Sequence, residues 1–522
     1  MTYKLSALAL ALALLAACGR GAPPPADPAA EAMRIASESV IVDTHIDVPH
    51  RLIESGEDVS GPTEGGDFDY PRARLGGLDT AFMSIYTPAR LEAEGTSRET
   101  AEKLIDLVEN IVATSDGKFA IATSPSDVRK HFEAGVISLP MGMENGSPIE
   151  GDLANLAHFH ARGIRYITLA HSLSNHLSDS SYDENRQWNG LSEFGVEVIR
   201  EMNRLGIMVD VSHLSDAAFW QVLGLSAAPV IASHSSARRF TPGWERNMSD
   251  EMIKALAEKD GVIMINFGSA FITEEAYQYS SQRWPASTAF VREHSELSRE
   301  EARAQFAAAW EAEHGPMPYA SLDDVLDHFD HVIALVGVDH VGIGSDYDGV
   351  GDSLPTGLKD VSAYPNLVEG LLRRGYSEAD IRKILGENLL RVWQAVDDYA
   401  ATTSTSTYRS STSRLLQSSF VRSGGFRVLS GAPSASPIPG QYLPPSRYTR
   451  YCTSRQPPGF SGTVLNVHCR TVARSVIASV AASELARVIA QSLCSGAAEP
   501  PRIRELLIAN FQIFIYFFST IY

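Results

Sequence analysis

The sequence predicts an α/β fold, a (β/α)8 TIM barrel with insertions, spanning residues 33–400. Three observations predict it. Eight short runs rich in Val, Ile and other apolar residues recur at 40–47, 78–86, 136–144, 164–171, 207–213, 230–234, 262–267 and 341–346. Amphipathic stretches at 99–114, 151–162, 191–205 and 250–259 separate several of them, and strand–helix alternation implies a parallel sheet. The series fills roughly 350 residues, and its polar residues gather at the C-terminal ends of the runs, where barrel active sites are built. A doubly wound open sheet is the runner-up. It would be expected to carry a Gly-rich nucleotide turn near its first strand, and no G-x-G-x-x-G or P-loop pattern is present.

At the start of the chain, Lys4 precedes an apolar run over 5–17, short for a membrane span but right for a signal-peptide core. It ends in Leu15-Ala16-Ala17-Cys18, which resembles a bacterial lipoprotein signal with a lipidated cysteine. A plain secretory signal is the alternative. Residues 18–32, with Pro23-Pro24-Pro25 and Pro28, read as an extended tether. The expectation is a body exported to the periplasmic or cell-surface side and held at a bacterial membrane by a lipid on Cys18.

The first barrel run leads into His45 and Asp47, which alternation places on one face about 7 Å apart. An imidazole and a carboxylate converging from a strand end suit a divalent metal such as zinc. Later runs end alike: the third in Glu144, the fourth in His171, the fifth in Asp210-Val211-Ser212-His213, the sixth in Ser233-His234-Ser235 and the eighth in Asp346-Tyr347-Asp348. The ligand count suggests two ions. His45 with Asp47 would hold one, His213 with His234 the other, and Glu144 would give one oxygen to each. Two such ions lower the pKa of a bridging water enough to supply hydroxide and polarise a carbonyl, so the natural reaction is amide hydrolysis. Asp346 is then the spare carboxylate, placed to take the water's proton and return it to the leaving amine. No G-x-S-x-G elbow or H-E-x-x-H helix supports a serine hydrolase or a zincin.

These motifs have a family likeness. Asp43-Thr44-His45-Ile46-Asp47, Gly142-Met143-Glu144-Asn145-Gly146, Leu169-Ala170-His171-Ser172, Asp210-Val211-Ser212-His213, Ser233-His234-Ser235-Ser236-Ala237 and Gly344-Ser345-Asp346-Tyr347-Asp348-Gly349 stand in the order expected of the membrane dipeptidase (renal dipeptidase) family, which the chain resembles over roughly 33–398. Residues 384–393 resemble that family's closing helix. The resemblance implies a distorted (β/α)8 barrel of the metal-dependent hydrolase type and a binuclear zinc dipeptidase. It implies the same five ligands, Asp346 as acid/base residue, and His171 and Arg246 against the substrate, the latter's fork suiting a dipeptide's C-terminal carboxylate. D-residue dipeptides and β-lactams are implied as side activities, and a homodimer as a common state. In vertebrate members a substrate-holding tyrosine follows the Asn-Phe of strand seven. Here Asn266-Phe267 is followed by Gly268, which leaves the pocket wall open.

About 70 residues separate strands seven and eight, including a helical run at 295–314 that is expected to lie near the active-site mouth as a lid or a dimer contact. Asp179, Asp183, Glu184 and Asn185 follow strand four and are expected either to line the substrate entrance or to form a solvated acidic loop. Past residue 400 the character changes: residues 401–522 hold 12 Arg, no Lys and 3 Glu, a net of +9, leaving −28 for the first 400 of a chain whose total is −19. The net charge of −19 argues against nucleic acid as a partner. The tail carries Cys452, Cys469 and Cys494, while residues 19–400 hold no cysteine, so no site there uses a thiolate or disulfide. A disordered extension, a membrane-associating tail and non-native sequence from a reading-frame error are its three readings, the last preferred. The leading function is a lipid-anchored zinc dipeptidase. Its rivals are another binuclear amidohydrolase, acting on acylated amino acids or lactones, and a metal-dependent binding lipoprotein without catalysis. The former usually opens with His-x-His and bridges its metals through a modified lysine, where this chain offers His-x-Asp and Glu144.

Overall fold

The computed structural model describes residues 27–403. The expected signal segment, Cys18, most of the tether and the tail beyond residue 403 lie outside the described residues. The strands are β1 (Ile41–Ile46), β2 (Leu78–Tyr86), β3 (Phe119–Ala120), β4 (Ile137–Ser138), β5 (Met141–Glu144), β6 (Ile164–Thr168), β7 (Met208–Asp210), β8 (Ile231–Ala232), β9 (Val262–Ile265) and β10 (Val341–Ile343). Eight of them run in the order β1-β10-β9-β8-β7-β6-β5-β2, and β1 also pairs with β2, which closes the ring. All these pairings are parallel. The predicted barrel is present, with helices around it.

Two details differ from expectation. The run at 136–144 is two strands, because Pro140 has no N–H to give to a ladder. β4 meets β2 at Thr80↔Ser138, and β5 takes over on the same strand from Met83↔Met141. The pair β3 and β4 extends from β2 outside the ring, and a two-residue strand such as β3 leaves no periodic signal to read. Most runs also stop as strands before their polar ends. Thr168, Asp210, Ala232, Ile265 and Ile343 are the last strand residues, so the chemistry-bearing side chains stand on the turns that follow.

The four expected helices are Ser97–Thr114, Ala154–Ala161, Glu193–Leu205 and Asp250–Glu258. Glu193–Leu205 shows why they form. The Ser192 side chain accepts from the Gly195 N–H as an N-cap, and Val198, Ile199 and Met202 are buried on one face. Each such side chain contributes about 1.5–3 kcal/mol on burial. The closing segment runs helically from 378 to 403 with a π turn over Lys383–Glu387. Its Leu389, Leu390, Val392, Trp393 and Val396 pack with Val42, Phe82, Tyr166, Met208 and Met264 of the strands. Gly386 is required there, since a Cβ would stand 2.4 Å from the Val40 carbonyl oxygen.

The insertion between β9 and β10 is a pair of helices, Glu274–Glu293 and Arg299–His314. The second begins with a capping box between Ser298 and Glu301. Among the described residues no helix is long and apolar enough to cross a membrane.

Asp79, on β2, is buried and accepts the Ile41 N–H of β1 at 3.1 Å, with Arg74 at 3.7 Å. Burial pushes its pKa up to about 7 against these two partners. The fold therefore favours the protonated acid: the stability it lends is complete below about pH 4 and is lost as the pH rises through 7. Asp79→Asn keeps an acceptor for Ile41 without the charge. It should be more stable than the parent at pH 8 by roughly 1–3 kcal/mol, with the gap closing toward pH 5. Thermal melts across that range check this, and a pH-independent gap would contradict it.

Candidate metal centre

β1 delivers His45 fully buried, and Asp47 just past the strand's end. Asp47 is the N-cap of the helix Val48–Ser55, yet its carboxylate makes no capping hydrogen bond. Instead Oδ2 lies 3.5 Å from His45 Nε2. On β5, Glu144 pairs with Tyr86 on one side and Thr168 on the other, and its side chain is buried among the imidazoles. Its two oxygens face different partners. Oε2 is 3.6 Å from His45 Nε2 and accepts from the Ser84 hydroxyl at 3.3 Å. Oε1 is 3.1 Å from His213 Nε2 and 3.3 Å from His234 Nε2, and these two nitrogens stand 2.8 Å apart.

The turns that follow the strands are bent to make this convergence. Asn145, His213 and Asp346 adopt positive φ of 76°, 68° and 64°. That region is uncommon outside glycine and clusters at functional sites. Asp346 Oδ1 lies 4.0 Å from His45 Nε2, and the Asn266 side-chain amide donates to Oδ2 at 2.7 Å. Gly349 permits this packing, because a Cβ there would fall 2.3 Å from both Asp346 Oδ1 and Asp47 Oδ2.

Further side chains orient the histidines, and the motif reading missed them. Tyr166 lies 2.8 Å from His45 Nδ1 and its hydroxyl also reaches the Thr44 carbonyl at 3.0 Å. Donation to that carbonyl leaves the phenol oxygen to accept from Nδ1–H, so Nε2 is the nitrogen that His45 turns toward Asp47 and Glu144. Gly142 makes room for the phenol, since a Cβ would meet its ring at 1.9 Å. Ser233 donates to Asp210 at 2.7 Å and lies 2.7 Å from His234 Nδ1, again leaving Nε2 inward. The signal for Tyr166 exists only in cross-strand register, which a single run does not reveal, while Ser233 stands beside His234 in its motif with nothing there to mark its role.

Electrostatics divide the cluster. Burial pushes His213 and His234 well below the ordinary histidine value, with Arg246 adding at His213 and His45 at His234, so both are neutral ligands in waiting. Burial opposes charge on His45 too, but Tyr166, Glu144 and Asp47 outweigh it and hold that imidazole well above its usual value. Burial likewise works against the Glu144 carboxylate, yet His45 and His171 hold it well below the usual carboxylate range. Burial raises Asp346 to about 7; His45 and Arg246 oppose the rise, and Asp47 and Glu144 reinforce it.

The donor set fits a divalent cation. His45 Nε2 and Asp47 Oδ1 are buried with no hydrogen-bond partner, a state polar atoms seldom adopt unless something else satisfies them. Three overlapping groups have one ligand atom from each member within 4.8 Å of the others: His45, Glu144 and His234; Glu144, His171 and His213; His45, Asp47 and Asp346. Proximity alone thus includes His171, whose Nε2 is 3.5 Å from Glu144 Oε1. At 20% exposure its side chain sits toward the mouth, where those of His45, His213 and His234 are at most 5% exposed. Arg246 is 2% exposed, donates to Ser235 Oγ at 2.8 Å and lies 3.0 Å from His213 Nε2.

The acidic loop after β6 is a structural device. Buried Asp179 accepts the N–H groups of Gln187, Trp188 and Gly190, and Asp183 those of Ser174 and Asn185, so neither carboxylate is left over to line an entrance; Glu184 and Asn185 are exposed. The place beside Gly268 is taken by Val350 and Phe271, which a Cβ would approach to 2.8 and 3.0 Å.

The chain matches known proteins over most of the described residues. The model of the membrane dipeptidase family (peptidase family M19) matches residues 29–407. A probable dipeptidase, PvdM, from Pseudomonas aeruginosa is 28% identical over 72% of this chain and 100% of its own, with a TM-score of 0.62. A metallopeptidase from Rhodobacter sphaeroides, liganded with a phosphinate mimic of the dipeptide L-Ala-D-Ala, is 26% identical over 69% of this chain and 100% of its own, with a TM-score of 0.56.

Proposed function

Because this chain belongs to the membrane dipeptidase family, whose members are hydrolytic metallopeptidases acting on dipeptides, we propose that it is a zinc dipeptidase holding two ions per chain. The observation that carries the reading is the division of the Glu144 carboxylate, with Oε2 toward His45 and Oε1 toward His213 and His234. His45 and Asp47 would hold one ion, His213 and His234 the other, and Glu144 would bridge them. When bound, the ions supply an electrophile for the scissile carbonyl and acidify the attacking water.

The chain's own residues do the rest. The Asn266 amide keeps Asp346 Oδ2 as an acceptor, so the mobile proton belongs on Oδ1, the oxygen facing the cluster. Burial disfavours the charged carboxylate at this position, which suits Asp346 to hold a proton taken from water and give it to the leaving amine. Arg246 is buried with no acidic partner among the described residues, and its Nε is unsatisfied. A buried guanidinium of this kind calls for an external anion, and the free carboxylate of a dipeptide matches its fork. His171 stands at the mouth, where it would meet the substrate.

Leu15-Ala16-Ala17-Cys18 supports export and a lipid anchor on Cys18. The ligand of the Rhodobacter sphaeroides relative supports including a D-residue at the second position. The test is a panel of L,L and L,D dipeptides assayed with purified protein before and after chelation. Hydrolysis that chelation stops and zinc restores is expected. Hydrolysis indifferent to chelation, or confined to acyl amino acids or lactones, would overturn the reading.

A further inference from the structure

Three stretches distant in sequence bring aromatic rings to the side of the site where Arg246 lies. Tyr182, on the loop after β6, has its ring 5.8 Å from that of His213, and its phenol lies near enough to Arg246 to feel the guanidinium charge. Trp244 approaches the Tyr182 ring edge-on at 6.2 Å, and is itself stacked on Tyr277 at 4.6 Å and packed on Phe271 at 4.9 Å. Trp284 comes from the insertion helix Glu274–Glu293 and meets Tyr182 edge-on at 6.4 Å. That indole is 67% exposed, although it is the largest side chain of its helix. Large aromatic rings are ordinarily buried. Here one is held at the mouth, against a ring that borders both the metal cluster and the buried arginine.

We propose that Tyr182, Trp244 and Trp284 form an aromatic rim that reads the side chain of the dipeptide's C-terminal residue and favours a large apolar or aromatic one. The inference rests on the dipeptidase reading and deepens it. If Arg246 takes the C-terminal carboxylate, the residue bearing that carboxylate lies beside Tyr182, and its side chain leaves along the rings of Tyr182 and Trp284. The stacking of Trp244 on Tyr277 fixes the inner wall in advance, so little side-chain freedom is lost on binding. Trp284 supplies the outer edge and gives the insertion a role at the mouth.

The test uses the full-length, metal-loaded enzyme and compares kcat/KM for L-Ala-L-Phe with that for L-Ala-Gly, in the parent and in Trp284→Ala. Trp284 is exposed, so truncation leaves the core intact. The parent is expected to prefer the Phe dipeptide. Trp284→Ala should reduce that preference roughly three- to tenfold, the scale of one lost aromatic pair, with the change in KM. Tyr182→Phe keeps the ring and removes the hydroxyl, so it should raise KM for both substrates while preserving their ratio. A preference untouched by Trp284→Ala, in an enzyme that cleaves both dipeptides, overturns the rim and leaves the dipeptidase reading standing. A parent that cleaves neither removes both.

Discussion

Glu144→Gln is expected to release both metal ions together and to bring dipeptide turnover to background. The substitution preserves shape and removes the charge between the two halves of the site. Glu144 Oε1 faces His213 and His234, and Oε2 faces His45. A neutral amide has one acceptor oxygen and one donor group, so it can serve at most one side. Residues that merely orient a metal's ligands are worth about 10- to 100-fold in affinity, so loss of a shared ligand should exceed roughly 100-fold at each position. Metal content after gel filtration, by atomic emission, gives the count. Loss of a single ion would show that Glu144 belongs to one site and that the bridge is wrong.

Asp346→Asn should have the opposite signature, with metal content near two ions per chain and kcat reduced by about 10²- to 10⁴-fold, the range for a positioned proton-transfer group. The Asn side chain can still accept from Asn266 through its oxygen, so the turn at Asp346, with its φ of 64°, is retained. What goes is the proton-carrying oxygen that faces His45 at 4.0 Å. A variant that loses one ion with its activity would instead make Asp346 a ligand, as its grouping with His45 and Asp47 permits. Metal content and single-turnover kinetics together distinguish the two.

The barrel was legible because β-branched runs and amphipathic stretches alternate, and period alone separates the two element types. The site was legible because its residues fall just past successive strands, where a barrel forces them together. His45, Asp47, Glu144, His171, His213, His234 and Asp346 do reach one small region, and Arg246 reaches its edge. What the sequence hid depends on register and on turns. Pro140 splits a run that reads as one strand, and Asp179 looks like an entrance residue until its three N–H donors are seen. Tyr166 looks like an ordinary barrel residue, yet it fixes which nitrogen His45 presents. Trp284 lies about a hundred positions from Tyr182, in a helix whose apolar pattern gives no hint of what it approaches.

Anomalous diffraction from crystals of the zinc-loaded protein measures directly where cations sit around Glu144. Two peaks are predicted, one bounded by His45 and Asp47, the other by His213 and His234, each touching a different oxygen of Glu144. A single peak, or a second one that leaves Glu144 untouched, would contradict the binuclear centre and the hydrolysis built on it.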